Sequence, residues 1–307
     1  MIKLIAQPRV VKTWNQFCKE SPAYSIALDG YVSGPTKYDI KNARLNLNHH
    51  EGVDRLSTLS TCAQAYLRIK LGLFNKFKKN NEPEANIYVN DADQDTCLAF
   101  YLLSNHEKIN KLKSRFLIAK LVDIIDKFDI TGGMYPFNLN ADIMKEVAWV
   151  FQPYTDARLS GILEEMNSEG MKALIYIICE RIYKYSIGKS KKINLDARYK
   201  VIYSGKNWKM INEIGAHART KIFLDGIKAF ISVRKTKNDN YIYTLAKVSE
   251  FVKFPIEEFY NKLNKIEGAS RSNNKWGGSN TIGGSPREIG SKIKPRELIR
   301  IINSLMK

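Results

Sequence analysis

Long apolar runs are missing from this chain. No stretch of its 307 residues approaches the roughly 18 uninterrupted apolar positions that a spanning helix requires. Arg9, Lys12 and Lys19 interrupt the segment where a secretory apolar block would stand. The expectation is a cytoplasmic protein with no transmembrane segment. Cysteine is scarce as well: Cys18, Cys62, Cys97 and Cys179 lie far apart with no C-x-x-C spacing. That excludes the usual zinc-ribbon and redox motifs and leaves the thiols as small buried hydrophobes. Tandem repeats are absent too, which excludes a solenoid. Acidic residues are in deficit, 31 against 49 Lys and Arg, for a formal net charge of +18.

The deficit is uneven. Residues 191–307 carry 24 Lys and Arg against 10 Asp and Glu, a net of +14, whereas residues 1–190 carry 25 against 21, a net of +4. A cationic last third raises the local concentration of anionic partners such as nucleotides, nucleic acid or acidic headgroups. The competing explanation is an AT-rich coding sequence, which enriches Lys, Asn and Ile without a selected role.

Strands are expected at 25–28, 43–47 and 87–89, each running into a polar loop, with helices at 61–74 and 96–104 following the second and third loops. This alternation predicts an α/β fold, a mainly parallel sheet flanked by helices, in which functional groups gather where strands end. Helices over 106–128, 140–151 and 169–185 come next, and the basic stretch Gly188–Lys192 marks a boundary. The predicted organisation is an α/β domain over 1–190 and a second, smaller α+β domain over 191–307. In the latter, strands are expected at 199–203, 221–224, 229–235 and 241–247, helices at 256–266 and 295–306, and a long loop at 268–291.

Chemistry concentrates in two polar loops, Asn48-His49-His50-Glu51-Gly52 and Asn90-Asp91-Ala92-Asp93-Gln94-Asp95-Thr96. Carboxylate oxygen and imidazole nitrogen suit hard or borderline divalent cations. In an extended exit from a strand, Asp91, Asp93 and Asp95 project to one side, where their repulsion calls for a cation. The alternative is an Asx-rich turn capping the next helix. His49 and His50 should point to opposite faces of an extended segment, one binding metal and the other contacting substrate. Asp29, beside Gly30 at a strand end, and Asp129, after a long helix, are further candidate ligands.

A second signal is the loop holding Arg271, Gly277, Gly278, Ser279, Thr281, Gly283, Gly284, Ser285 and Arg287. Its glycines permit close backbone approach and an anion-binding nest, while the hydroxyls and arginines supply phosphate donors. A flexible linker is the alternative. His217 and Arg219 could join the same pocket; a satisfied surface histidine is the alternative for His217.

Together the His49-His50 pair, the Asp91-x-Asp93-x-Asp95 run and the distant Gly277-Gly278 loop resemble the DHH phosphoesterases. The resemblance implies a parallel-sheet domain with two Mn²⁺ or Mg²⁺ ions, a smaller substrate-binding domain, and hydrolysis of phosphodiester or phosphoanhydride bonds. It implies that Asp91, Asp93 and Asp95 are metal ligands, that His49 and His50 are a ligand and a phosphate contact, and that Asp29 is the bridging carboxylate. The pattern departs from the family at Asn48, where an Asp is usual, in the order of the two motifs, and in the wording of the glycine loop.

The expected function is that of a metal-dependent phosphoesterase. His49, His50 and Asp93 would be catalytic, Asp29, His49, Asp91, Asp93, Asp95 and Asp129 would hold Mn²⁺ or Mg²⁺, and His50 and the glycine loop would bind a phosphorylated small molecule or short nucleic acid. The alternatives are an inactive relative that binds nucleic acid or a nucleotide, and a hydrolase of another nucleotide-linked bond such as ADP-ribosyl.

Overall fold

Ile26, Ala27 and Leu28 are fully buried, and this unbroken apolar run forms β2 (Ser25–Leu28), a strand covered on both faces. In the computed structural model, which describes residues 1–111, 116–236, 238–269, 274–286 and 289–306, the chain divides into two compact units of mixed α/β structure. The first comprises Met1–Val53, Ser57–Ile130 and Asn138–Leu195; the second comprises Asp54–Leu56, Thr131–Phe137 and Asp196–Lys307.

The first unit runs β1 (Ile2–Ala6), α1 (Trp14–Glu20), β2, β3 (Lys37–Asp39), β4 (Arg44–Leu47), α2 (Thr61–Lys70), α3 (Leu73–Lys76), the short hairpin β5 (Lys78–Lys79) and β6 (Glu82–Pro83), and β7 (Ala85–Val89). Helices α4 (Gln94–Ser104), α5 (His106–Lys111), α6 (Phe116–Ile130), α7 (Asp142–Leu159), α8 (Ile162–Glu165) and α9 (Ser168–Ser186) complete it. Its five-stranded sheet has the order β1-β7-β2-β4-β3, parallel except for the edge strand β3. Because β7, β2 and β4 are adjacent and parallel, the loops after them leave from one edge of the sheet. Asp29, the His49-His50 pair and the Asp91–Asp95 run all stand on those loops. Of the four thiols, Cys62 and Cys97 are buried as expected, whereas Cys18 and Cys179 are partly exposed.

Two local features explain the helices. The helix expected over 61–74 breaks at Gly72, whose φ of +91° favours glycine, so α2 ends and α3 starts anew. Pro153 lies inside α7 and cannot donate to the Trp149 carbonyl four residues earlier. Arg181 of α9 fills that gap, its Nη1 donating to Trp149 O at 2.5 Å while its guanidinium lies over the indole.

The second unit contains β8 (Tyr199–Gly205), β9 (Trp208–Glu213), α10 (Ala218–Leu224), β10 (Ala229–Lys235), β11 (Tyr241–Lys247), α11 (Ile256–Ile266), β12 (Gly277–Gly278), β13 (Ile282–Gly284) and α12 (Pro295–Leu305). Its sheet has the order β12-β13-β11-β10-β9-β8, antiparallel apart from β9 beside β10. One face packs Trp208, Met210, Ile231 and Leu245 against Phe259 and Leu263 of α11 and Leu298 and Ile302 of α12. The other packs Ile211, Phe230 and Ala246 against Ala218 and Ile222 of α10 and against Met134. Residues 221–224, expected as a strand, are helical. Ala218 and Ile222 fall four apart and bury one helical stripe, which overrides the β-leaning composition. The expected loop at 268–291 contains the β12–β13 hairpin. No helix among the described residues is long and apolar enough to cross a membrane.

Candidate metal centre

Asp29 follows β2 directly, in the left-handed region at φ +48°, a conformation that costs a non-glycine residue energy. Its amide donates to Leu47 O at 2.9 Å, fixing it against the end of β4. The carboxylate is buried and contacted from several elements. Oδ1 lies 2.6 Å from His50 Nε2 and 3.4 Å from His49 Nε2. Thr61 Oγ1, at the start of α2, donates to Oδ1 at 3.3 Å, and Thr96 Oγ1, in the first turn of α4, donates to Oδ2 at 3.3 Å.

The histidine pair departs from the expectation of opposite faces. Both Nε2 atoms approach Asp29, and the ring centroids are only 4.3 Å apart. Asn48 is the cause. Its Oδ1 accepts from the amides of His49 at 2.9 Å and His50 at 3.2 Å, curling the backbone so that both rings lie on one side. Its Nδ2 donates to Val32 O at 3.2 Å and Gly34 O at 2.7 Å. A carboxylate at position 48 would set an oxygen against two carbonyl oxygens, which is a physical reason for an amide there.

Asp129, in the last turn of α6, puts Oδ2 2.6 Å from His49 Nε2, and Asp95 Oδ2 lies 3.7 Å from the same nitrogen. The first turn of α2 holds Asp95: Thr61 N donates to Oδ2 at 2.6 Å and Cys62 N to Oδ1 at 2.8 Å. Asp126, one turn before Asp129, accepts from Ser60 N at 2.7 Å and so ties α6 to the same helix start. Two groupings of ligand atoms, Asp29 with His49 and His50, and His49 with Asp95 and Asp129, each fall within 4.8 Å.

The aspartate run is not one extended segment. Helix α4 begins at Gln94, so Asp93 is its N-cap, accepting from Thr96 N at 2.8 Å, and Asp95 is already helical. Asp91 Oδ1 accepts from the next amide, Ala92 N, at 2.7 Å. Only Asp95 of the three enters a ligand grouping among the described residues.

Charge makes the cluster unusual. Burial disfavours a charged His49, yet Asp129 and Asp29 beside it outweigh that and raise its pKa to about 11. Burial also opposes the Asp29 charge, but His50 and His49 hold this carboxyl well below its ordinary value. Asp95 is pushed up to about 6, by burial and then by Asp129 and Asp29. Asp93 is raised well above the carboxylate range, by burial and then by Asp29, Asp91, Asp129 and Asp95. Negative charge is therefore in excess. His49 is fully buried, and among the described residues neither ring nitrogen has a hydrogen bond of acceptable direction, despite the short distance to Asp129. A buried imidazole without a well-directed hydrogen bond, set among carboxylates, is an arrangement that could hold a metal ion.

The glycine loop belongs to the second unit, where Gly277 pairs with Gly284 and Gly278 with Gly283 across β12 and β13. Its polar groups largely satisfy one another. Ser279 Oγ accepts from Thr281 N at 3.3 Å and Ile282 N at 3.1 Å, and Ser279 N donates to Ile282 O at 2.8 Å. Buried Ser285 accepts from Tyr243 N at 3.0 Å. Arg271 and Arg287 lie outside the described residues. Arg219 is paired with Glu213 at 3.0 Å, and His217 stands at the start of α10.

Sequence reasoning did not find the roles of Thr61 and Thr96, or those of Asp126 and Asn48. Thr61 and Thr96 stand 32 and 67 residues beyond Asp29, and no local spacing announces such contacts. The chain matches no family model and no curated protein.

Proposed function

We propose that this protein is a metal-dependent phosphoesterase that hydrolyses a phosphodiester or phosphoanhydride bond in a nucleotide or short oligonucleotide. In this reading the first unit binds the metal and the cationic second unit binds the substrate. One observation carries it: Asp29, His49, His50, Asp95 and Asp129, from four separate stretches of chain, bring their donor atoms together in two groupings that share His49, with Asp29, His49 and Asp95 buried. The residues that would hold Mn²⁺ or Mg²⁺ are these five, with Asp93 adjacent in charge. Such an ion supplies Lewis-acid activation of water and neutralises charge on phosphoryl oxygens. Thr61 and Thr96 orient the Asp29 carboxylate, and the start of α2 fixes Asp95. His50, with 35% of its side chain exposed, is the more exposed of the two rings. Asn48 does not weigh against activity, because its amide is committed to backbone hydrogen bonds.

The test is release of a nucleoside monophosphate from dinucleotides and short oligonucleotides, with and without Mn²⁺, alongside metal analysis of the purified protein. Ligation must displace protons from Asp95 and His49, so Mn²⁺ affinity should rise with pH through the range near 6 and above. Folded, metal-loaded protein that turns over no member of the panel defeats the proposal. Oligonucleotide binding that weakens steeply with salt, without stoichiometric metal, would point to the binding-only relative.

A further inference from the structure

Phe251 is the most exposed large apolar side chain among the described residues, with 88% of its surface open. It stands in the turn between β11 and α11 of the second unit. A ring left in water forfeits the stabilisation that burial would bring. The turn around it is nevertheless well braced. Val252 N donates to Ser249 O at 3.2 Å, and Phe254 N donates to Val252 O at 2.8 Å. Val252 packs against the core beneath, and buried Phe254 meets Phe259 edge-on with ring centroids 4.9 Å apart. With these neighbours pinned inside, the Phe251 ring is held outside.

Cations flank the same turn. Strand β11 ends at Lys247, whose amide donates to Thr281 O at 2.9 Å and which lies opposite Ala229 of β10. Only 9% of Lys247 is exposed, so its methylene stem is packed while the ammonium serves as a fixed charge at the end of the strand. That ammonium makes no ion pair among the described residues and is not one of the enclosed polar atoms. Lys228, whose carbonyl accepts from Val248 N at 3.0 Å, and Lys253, within the turn, are exposed and also make no ion pair among the described residues. The carboxylates of this stretch are Glu250 in the turn and Glu257 and Glu258 at the start of α11, where the helix dipole offsets their charge.

A rigidly presented aromatic face among unpaired ammonium groups suits a partner with flat rings and regularly spaced negative charge. Single-stranded nucleic acid has both. An acidic bilayer has the charge but takes up several apolar side chains at once, and Phe251 is the one exposed large apolar residue of this turn.

We infer that the turn after β11 is a contact for single-stranded nucleic acid: a base stacks on Phe251, and phosphates take the ammonium groups of Lys247, Lys228 and Lys253. This deepens the phosphoesterase reading by naming the segment of the cationic unit that meets an oligonucleotide. It rests on that reading only for the claim that the bound strand is also the substrate.

The experiment uses the full chain, a fluorescein-labelled oligothymidylate of about ten nucleotides and a strand of equal length made of abasic sites, read by anisotropy in EDTA. Phe251→Ala should weaken binding of the oligothymidylate about tenfold, the scale of one stacked base, and leave affinity for the abasic strand unchanged. Phe251→Trp should bind as wild type, with its indole emission quenched by the oligothymidylate. Lys247→Gln should weaken both strands alike and reduce the slope of log affinity against log salt by about 0.7, the share of one phosphate. No binding by the wild type, no loss in Phe251→Ala, or an equal loss on the abasic strand overturns the inference. Tighter binding to vesicles of acidic phospholipid than to the oligothymidylate overturns it as well. Strand binding with these signatures but no Mn²⁺-dependent turnover defeats the phosphoesterase reading and leaves the contact standing, whereas turnover with unchanged affinity in Phe251→Ala does the reverse.

Discussion

The aspartate–histidine cluster and the glycine hairpin are both rich in groups that could bind an anionic substrate or its metal, yet their bonding differs. In the hairpin, Ser279 takes the amides of Thr281 and Ile282, and Ser285 takes that of Tyr243, so these donors already have partners. In the cluster, carboxylates outnumber the cations that face them, Asp95 and Asp93 are driven toward protonation, and His49 has no well-directed partner among the described residues. Residue types marked both places as candidates. Charge is what separates them: the hairpin's buried atom without a hydrogen-bond partner among the described residues is the neutral Asn280 Oδ1, whereas the cluster gathers carboxylates that could hold a metal ion.

Substitutions can test that contrast. The largest effect is expected from Asp29→Asn, which removes the carboxylate shared by both histidines: Mn²⁺ affinity should fall by about 100-fold or more, read by calorimetry, given that even outer contacts to metal ligands are worth about 10–100-fold. Retained affinity would remove the cluster's claim to a ligand and leave it no different from the hairpin.

Asn48→Asp comes next. It should destabilise the fold by about 1–3 kcal/mol in denaturant unfolding, since the Val32 and Gly34 carbonyls lose their donor. It should not strengthen metal binding. Tighter binding would show that position 48 is a ligand position in waiting.

The hairpin itself separates into two cases. A Cβ on Gly284 would stand 1.9 Å from Tyr243 O, so Gly284→Ala should cost about 1–3 kcal/mol through overpacking. A Cβ on Gly277 meets nothing within 4 Å, so Gly277→Ala should stay within about 0.5 kcal/mol in thermal unfolding. If Gly277→Ala instead abolishes substrate binding at unchanged stability, the hairpin binds a ligand at that point.

Much of the site was legible in the chain. Asp29, His49, His50, Asp95 and Asp129 were all readable as candidate ligands, because carboxylates and imidazoles placed where strands or helices end are visible as local patterns. The strands at 25–28, 229–235 and 241–247 and the helix at 256–266 were equally local, since burial imposes its period on a few consecutive residues. The direction of the rings was not legible. An extended reading sends His49 and His50 apart, and only the Asn48 side chain, bonding back to two amides, turns them together. The helix at 218–224 was hidden in the same way, because its buried stripe exists only against the sheet it packs on.

Residue order alone settled which atoms are available: a cationic last third, two histidines in tandem, aspartates at loop entrances, and an α/β alternation that gathers loops at one sheet edge. Which of those atoms meet was left to the packing of the folded chain. Asp129 reaches His49 from 80 residues along the chain. Asp91 and Asp93, though close in sequence to Asp95, accept from local amides instead of entering its ligand grouping. The reason is physical: helix capping is settled within one turn of backbone, whereas a shared ligand set depends on strand order and helix packing, which no local spacing encodes.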